Sequence, residues 1–237
     1  MNDLDGDSGG GQSDRAYATL IEAIATCRLP PGTLFNEREA AAELGMSRTP
    51  FRQALHRLGL EGLVMSVPKR GVFVTLLSLQ EIRSHMVVRQ ALEMELIRRT
   101  ITDGLPLPLS QLRGQISEMA AVARAKDGRA FLELDEQFHM TIVSASNNRP
   151  AIDAVKRSWI HVNRARYLEV SDRPDIRAAL AEHRRILGAL ESGDPDMAVG
   201  AIRSHLDESL RRLGEVTDRV PAAFLDKDSL AEAVVGV

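Results

Sequence analysis

Residues 44–55 read Leu44-Gly45-Met46-Ser47-Arg48-Thr49-Pro50-Phe51-Arg52-Gln53-Ala54-Leu55, and this run decides the fold of the first third of the chain. Gly45 stands where a helix C-terminus needs a residue that tolerates positive φ. Ser47 can cap a new helix, and Pro50 falls in its first turn, where a missing N–H costs little. Phe51, Ala54, Leu55 and Leu58 then give that helix one apolar face, and Arg48 and Arg52 share another at i and i+4. Upstream, residues 37–44 form a short Ala-rich helix. An earlier helix over residues 17–27 ends at Leu29-Pro30-Pro31-Gly32, because proline cannot continue it. Downstream, the β-prone runs 63–67 and 72–76 flank Pro68-Lys69-Arg70-Gly71, a hairpin with a basic tip. Two short helices across a tight turn, followed by a hairpin, predict a winged helix-turn-helix.

That geometry carries a chemistry. The second helix enters the major groove and presents its N-terminal side chains to base edges and phosphates. Arg48 and Arg52 can bond guanine in two-point fashion, Ser47 and Thr49 can bond phosphate or base, and the helix N-terminus favours an anion. Lys69, Arg70 and Gly71 suit a narrow minor groove, which rewards positive charge and penalises bulk. The alternative is that these cations only solvate a small helical domain. Overall charge is −3, but it is unevenly spread: −4 over residues 1–14, +3 over 15–78 and −2 over 79–237. The positive segment is the one that would face phosphate.

After residue 79 the pattern turns helical throughout. Helices are predicted over 80–101, 109–126, 128–146, 151–168, 174–190 and 194–215, with breaks at 104–108, 127–128, 147–150, 171–174 and 193–195. Six helices with short connections make an antiparallel bundle. The fold class is thus mainly α, a winged helix-turn-helix followed by an all-α bundle. The predicted divisions are a disordered acidic tail 1–14, a DNA-binding domain 15–78, a helical domain 79–216 and a C-terminal tail 217–237 that adds a short helix at most. Residues 1–14 lack the basic start and apolar stretch of a secretory signal, and no run is long enough to span a bilayer. The expected location is the cytoplasm. Cys27 is the one cysteine, which excludes an internal disulfide and a thiolate-rich zinc site.

Three of the six histidines fall into a pattern. Asp135 and His139 are four apart on one predicted helix, so both leave the same face. His183 shares the side of its helix marked by Ile186 and Leu187, and His205 precedes Leu206 on the last helix. Three helices could point one carboxylate and three imidazoles into the bundle centre, a site type that bundles support. Such a set suits zinc, nickel, manganese or iron. Buried histidines making ordinary hydrogen bonds are the competing account, and His56, His85 and His161 enter no such pattern.

Several motifs in register resemble a known family. Leu29-Pro30-Pro31-Gly32, Asn36-Glu37-Arg38-Glu39, Leu44-Gly45-Met46-Ser47-Arg48-Thr49-Pro50, Arg52-Gln53-Ala54-Leu55, Glu61-Gly62-Leu63 and Arg70-Gly71 are similar to the DNA-binding domain of GntR-family regulators. The resemblance implies that Arg38, Arg48, Thr49, Arg52 and the Gly71 wing tip contact an operator. Phe51 and Gln53 replace the more usual valine and glutamate. In the second half, Leu134-Asp135, Phe138-His139, Ser146-Asn147, Glu182-His183, Gly193-Asp194 and His205-Leu206 resemble the FCD effector domain of the FadR-type branch. That implies Asp135, His139, His183 and His205 as ligands of a divalent metal. The six-helix count is closer to the VanR-type subset. Arg89 and Glu93 match the domain's first helix, and Arg89 is the candidate for an effector's carboxylate, since guanidinium gives it a planar two-point match. The alternative for Arg89 is a simple i, i+4 pair with Glu93. Asn163, Arg164 and Arg166 either line the same pocket or form a solvated basic face.

The function expected is a transcriptional regulator, not an enzyme. It binds a palindromic double-stranded operator as a homodimer, under control of a small carboxylate at the metal. Two alternatives stand beside it: a metalloenzyme fused to a DNA-binding head, with Glu136 or Glu182 as base, and a DNA binder with a purely structural metal.

Overall fold

The computed structural model describes residues 8–168, 176–217 and 224–226. These fall into two compact units, one holding the chain up to Ser78 together with residues 224–226, the other beginning at Leu79. No helix among them is long and apolar enough to cross a membrane.

The first unit contains α1 (Ser8–Ala25), β1 (Leu34–Phe35), α2 (Glu37–Glu43), α3 (Arg48–Leu60), β2 (Val64–Val67) and β3 (Gly71–Val74). The strands form an antiparallel sheet in the order β1-β3-β2, with Val64 opposite Val74 and Leu34 opposite Phe73. This is the winged helix-turn-helix. Phe51, Ala54 and Leu58 are fully enclosed beneath α3, against Ala16, Leu20 and Ile24 of α1. Gly45 adopts φ 66°, ending the α2 turn as its position demands. Ser47 stands at the N-cap of α3, but its side chain makes no capping bond, so its hydroxyl is left exposed.

Two expectations are corrected in this unit. Residues 1–14 do not form a disordered tail throughout: α1 starts at Ser8, and residues 1–7 lie outside the described ones. The helix extends because its early residues find partners on α3. Ser13 is buried, Asp14 pairs with Arg57 at 2.5 Å, and Tyr17 donates to Glu61 at 2.7 Å. At the other end, residues 224–226 do not trail away as part of a tail 217–237. The Leu77 N–H donates to Phe224 O (2.8 Å) and the Asp226 N–H donates to Leu77 O (2.9 Å), a parallel bridge between Leu77 and Leu225. Both leucines are buried, which is what holds so short a pairing.

The second unit is built from α4 (Leu79–Thr102), α5 (Leu109–Ala125), α6 (Gly128–Ser144), α7 (Arg149–Leu168), α8 (Ile176–Ser192) and α9 (Pro195–Thr217). The predicted break at 171–174 lies outside the described residues. Helix α4 runs antiparallel to α9, since Gln90 reaches Asp207 (2.6 Å) while Arg98 reaches Asp196 (2.8 Å). Asp127 caps α6 by accepting from the Ala130 N–H at 3.0 Å. Helix α7 packs on α4, α6 and α9 together, so every residue from 161 to 167 is buried and the helix has no solvated face there. Leu96, Val143, Val155 and Trp159 form one apolar cluster of this core.

Candidate metal centre and nucleic-acid interface

Helix α6 buries Asp135 and His139, α8 buries His183 and α9 buries His205, and one donor atom from each lies within 4.8 Å of all the others. The way the imidazoles are held decides what they offer one another. His139 Nδ1 lies 2.7 Å from Glu93 Oε2, and His205 Nδ1 lies 2.8 Å from Glu182 Oε2. His183 Nδ1 lies 2.7 Å from the carbonyl oxygen of Ala179. All three partners are acceptors, so each ring spends its Nδ1–H outward and turns a bare Nε2 lone pair inward. Inside, His139 Nε2 and His205 Nε2 stand 3.0 Å apart, and His183 Nε2 stands 3.0 Å from Asp135 Oδ1 without making a hydrogen bond. Acceptor thus faces acceptor twice in a buried space, an arrangement that a cation relieves. The donor set, three imidazole nitrogens and a carboxylate with no thiolate, fits zinc, nickel, manganese or iron. Asp135, His139, His183 and His205 would hold the ion, which would supply Lewis acidity and coordination positions open to an oxygen ligand.

Three of the four clustered residues, Asp135, His139 and His205, are braced by a charge behind them. Burial pushes the Glu93 carboxyl up, but the guanidinium of Arg89 (Nε to Oε1, 2.8 Å) and the His139 bond outweigh it and hold Glu93 at about 2. Burial likewise opposes ionisation of Asp135. Arg166, whose Nη1 donates to Oδ2 at 2.7 Å, outweighs that and keeps it well below the usual carboxylate range. Glu182 is gripped by Arg212 through two parallel bonds of 2.9 and 2.8 Å and also held by His205. It lies at about 2 although burial raises it. Burial, then the neighbouring His183, pushes His205 down to about 3 despite Glu182, and burial lowers His139. The site therefore presents His139 and His205 as neutral imidazoles and Asp135, Glu93 and Glu182 as ionised carboxylates, forms suited to holding and bracing a metal.

Arg89 is only 1% exposed and makes the pair with Glu93 that sequence offered as the alternative. Its guanidinium carbon lies 3.5 Å from the Trp159 ring centroid, and its Nη1 donates to the thioether of Met86 at 3.7 Å. Asn163, Arg164 and Arg166 are buried, not a solvated face. Asn163 Nδ2 donates to Glu136 (2.6 Å), whose carboxyl burial raises, while Asn163 Oδ1 and Trp159 Nε1 have no hydrogen-bond partner among the described residues. Sequence reasoning did not foresee the bracing roles of Arg166, Glu182 and Arg212. The stretch 161–167 carries His161, Asn163, Arg164 and Arg166 and so reads as a solvated basic face, which is why nothing in the sequence singles out Arg166.

The residues expected from sequence to contact nucleic acid all lie in the first unit. Arg38 on α2, Ser47, Arg48, Thr49 and Arg52 at the start of α3, and Lys69, Arg70 and Gly71 at the hairpin tip are all exposed. Arg52 Nε bonds Glu37 at 2.5 Å, an exposed pair that phosphate can displace. The tip closes through Arg70 N–H to Val67 O (3.0 Å), with Lys69 at φ 63° and Gly71 at φ 113°. A Cβ on Gly71 would stand 2.8 Å from Leu34 Cδ1, a side-chain end that can shift, so it is the backbone at φ 113° that calls for glycine there.

Residues 12–74 match the model of bacterial regulatory proteins of the gntR family, and residues 85–208 match the FCD domain. The chain is 28% identical over 196 residues to the HTH-type transcriptional repressor RspR of Escherichia coli (strain K12), covering 83% of this chain and 86% of that one. It is 32% identical over 204 residues to a probable D-xylose utilization operon transcriptional repressor of Paenarthrobacter nicotinovorans, covering 86% and 89%. Among solved structures, E. coli McbR/YncC superposes with a TM-score of 0.77 at 18% identity, covering 86% of this chain and 97% of that chain, a likeness of fold.

Proposed function

The chain belongs to the GntR family of bacterial regulatory proteins, carries an FCD domain and is a DNA-binding transcriptional regulator of that type, and we propose that a small organic acid, held at a divalent metal in the helical domain, sets its operator affinity. The observation that carries this reading is the pair of facing acceptors, His139 with His205 and His183 with Asp135, each 3.0 Å apart and buried. A bound metal cation would make that arrangement favourable, since the facing lone pairs would then share one ion. Asp135, His139, His183 and His205 hold the metal. Arg89 has its Nε committed to Glu93, and offers an incoming carboxylate the Nη edge now resting on Met86 sulfur, a weak acceptor that a carboxylate displaces.

On the DNA side, Arg48, Arg52, Ser47 and Thr49 read the major groove, Arg38 contacts phosphate, and Lys69, Arg70 and Gly71 enter the minor groove. The protein acts as a homodimer on a palindromic site, one head per half-site. Use as an enzyme is disfavoured by the state of the two carboxylates that could serve as base. Both oxygens of Glu182 are taken by Arg212 and His205, and Glu136 is engaged by Asn163.

The test is operator binding, with and without metal, across a panel of organic acids. The reading expects an acid that changes affinity only in metal-loaded protein, and loss of that change in His183→Ala and His205→Ala. Variants that hold no metal yet respond as the wild type does would refute it. Operator binding indifferent to every acid, in protein that needs metal to fold, would favour a purely structural metal.

A further inference from the structure

The chain passes between the two units twice: from Ser78 into α4, and again after α9, whose continuation reappears at residues 224–226 in the first unit. Because α4 and α9 are antiparallel, the start of α4 and the end of α9 lie at one end of the helical unit, where Leu79, Ile82, Leu210 and Leu213 line a shared groove. Both passages leave from that end. In the first unit they meet again, through the bonds from Leu77 N–H to Phe224 O and from Asp226 N–H to Leu77 O.

We propose that Leu77 and residues 224–226 form a two-stranded link that transmits the state of the helical domain to the DNA-binding head. A single connection at Ser78 would leave its backbone dihedrals free to swivel, whereas two hydrogen-bonded strands joined to two different helices restrict that rotation. The two helices feeding the link are also two that touch the metal cluster: α4 supplies Glu93 behind His139, and α9 supplies His205. From His205 to the end of α9 is about 18 Å at the helical rise, so a tilt of about 5° at the cluster displaces that end by about 1.6 Å. The seven-residue step from Thr217 to Phe224 spans at most about 25 Å when fully extended, which makes it a tether of finite length. The inference rests on the metal-linked reading for the source of the signal, but not for the link itself.

The test uses two full-length variants, Leu225→Asp and a six-residue Gly/Ser insertion after residue 219, with zinc or a chelator as the probe. The operator is one selected from a random duplex pool by the wild-type protein. In the wild type, the amides of Leu77 and Asp226 exchange slowly, and Leu225→Asp makes both fast without altering the zinc affinity. Operator affinity, or its ratio with and without zinc, then changes by about fivefold or more, the lower bound of an ordinary coupling. The insertion keeps both amides slow yet changes the same ratio, because a docked but slack strand no longer follows α9. If zinc leaves wild-type affinity unchanged while Leu225→Asp alters it, the link stands and metal sensing falls. The proposal is overturned if the Leu77 and Asp226 amides are unprotected in the wild type. It is equally overturned if both variants match the wild type within twofold with zinc and without.

Discussion

Replacing Glu93 by glutamine separates what that residue does for the metal from what it does for the fold. Glu93 is buried, accepts from Arg89 at 2.8 Å and lies 2.7 Å from His139 Nδ1. An amide has one acceptor oxygen, so Glu93→Gln serves one of these donors and turns an NH2 toward the other. For the metal, a lost carboxylate behind a ligating imidazole costs about 10- to 100-fold in affinity, or about 1.4–2.8 kcal/mol. For the fold, the Arg89 guanidinium stays buried without its counter-charge, which costs about 3–5 kcal/mol. That is a large share of a total near 5–15 kcal/mol. Zinc affinity is read by competition with a chromophoric chelator, and stability by urea melts in excess chelator. The double variant Arg89→Gln/Glu93→Gln removes the stranded charge, so it recovers most of the stability and little of the zinc affinity. If Glu93→Gln binds zinc within threefold of the wild type, the bracing argument fails.

The metal-free protein loses stability as pH falls, in two stages. His205 is held near 3 against an ordinary 6.5, so below pH 6.5 the unfolded chain takes a proton that the folded chain refuses. Glu93 and Glu182, at about 2 against 4.5, add a further loss below pH 4.5. Urea midpoints between pH 8 and 4 check this, and a midpoint that rises from pH 7 to 5 refutes it. Gly71→Ala forces a side chain to φ 113° and into Leu34, so it destabilises the head by about 1–3 kcal/mol and weakens operator binding, measured by thermal melts and band shifts. Arg48→Ala costs about 1–3 kcal/mol at particular base pairs, whereas Arg70→Ala lowers affinity for all sequences and reduces the salt slope by about one. Equal losses for every sequence with both variants would remove Arg48 from base reading.

What sequence made legible was whatever local chemistry determines. Helix ends in the bundle fall within two residues of the predicted ones, because Gly104–Pro108 interrupts one helix pair, Asp127 caps α6, and Gly193-Asp194 followed by Pro195 at a helix start separates α8 from α9. The clustering of the four donor residues was legible for a related reason: Asp135 and His139 share a face by spacing alone, and His183 sits on an apolar stripe. Pairings made across the fold were not. Strand β1 is two residues long and has no period to read, and exists because Leu34 and Phe35 meet β3. The docking of Leu225 on Leu77 joins residues 148 apart in the chain, and Arg166 reaches Asp135 only once α6 and α7 have a fixed rotation about their axes. Arg166 on a helix reads as a surface cation until α4, α6 and α9 close around it.

The charge count around the cluster bears on what it binds. Arg89 with Glu93, Arg166 with Asp135 and Arg212 with Glu182 form three pairs of opposite sign, and burial favours the uncharged form of His139 and His205. These groups therefore sum to zero before any metal arrives. A dication placed among them leaves two positive charges in a space whose walls are buried, and uncompensated buried charge is costly. An anion at the open coordination positions removes that cost, and a dianion removes more of it than a monoanion. The expected outcome is that, with zinc bound, a dicarboxylate such as succinate raises the melting temperature more than butyrate at equal concentration. Without zinc, neither has an effect. Thermal shift measures the difference directly, because stabilisation follows ligand concentration relative to affinity. Equal shifts from both acids in zinc-loaded protein would show that coordination of one carboxylate, and not charge compensation, governs what the cluster accepts.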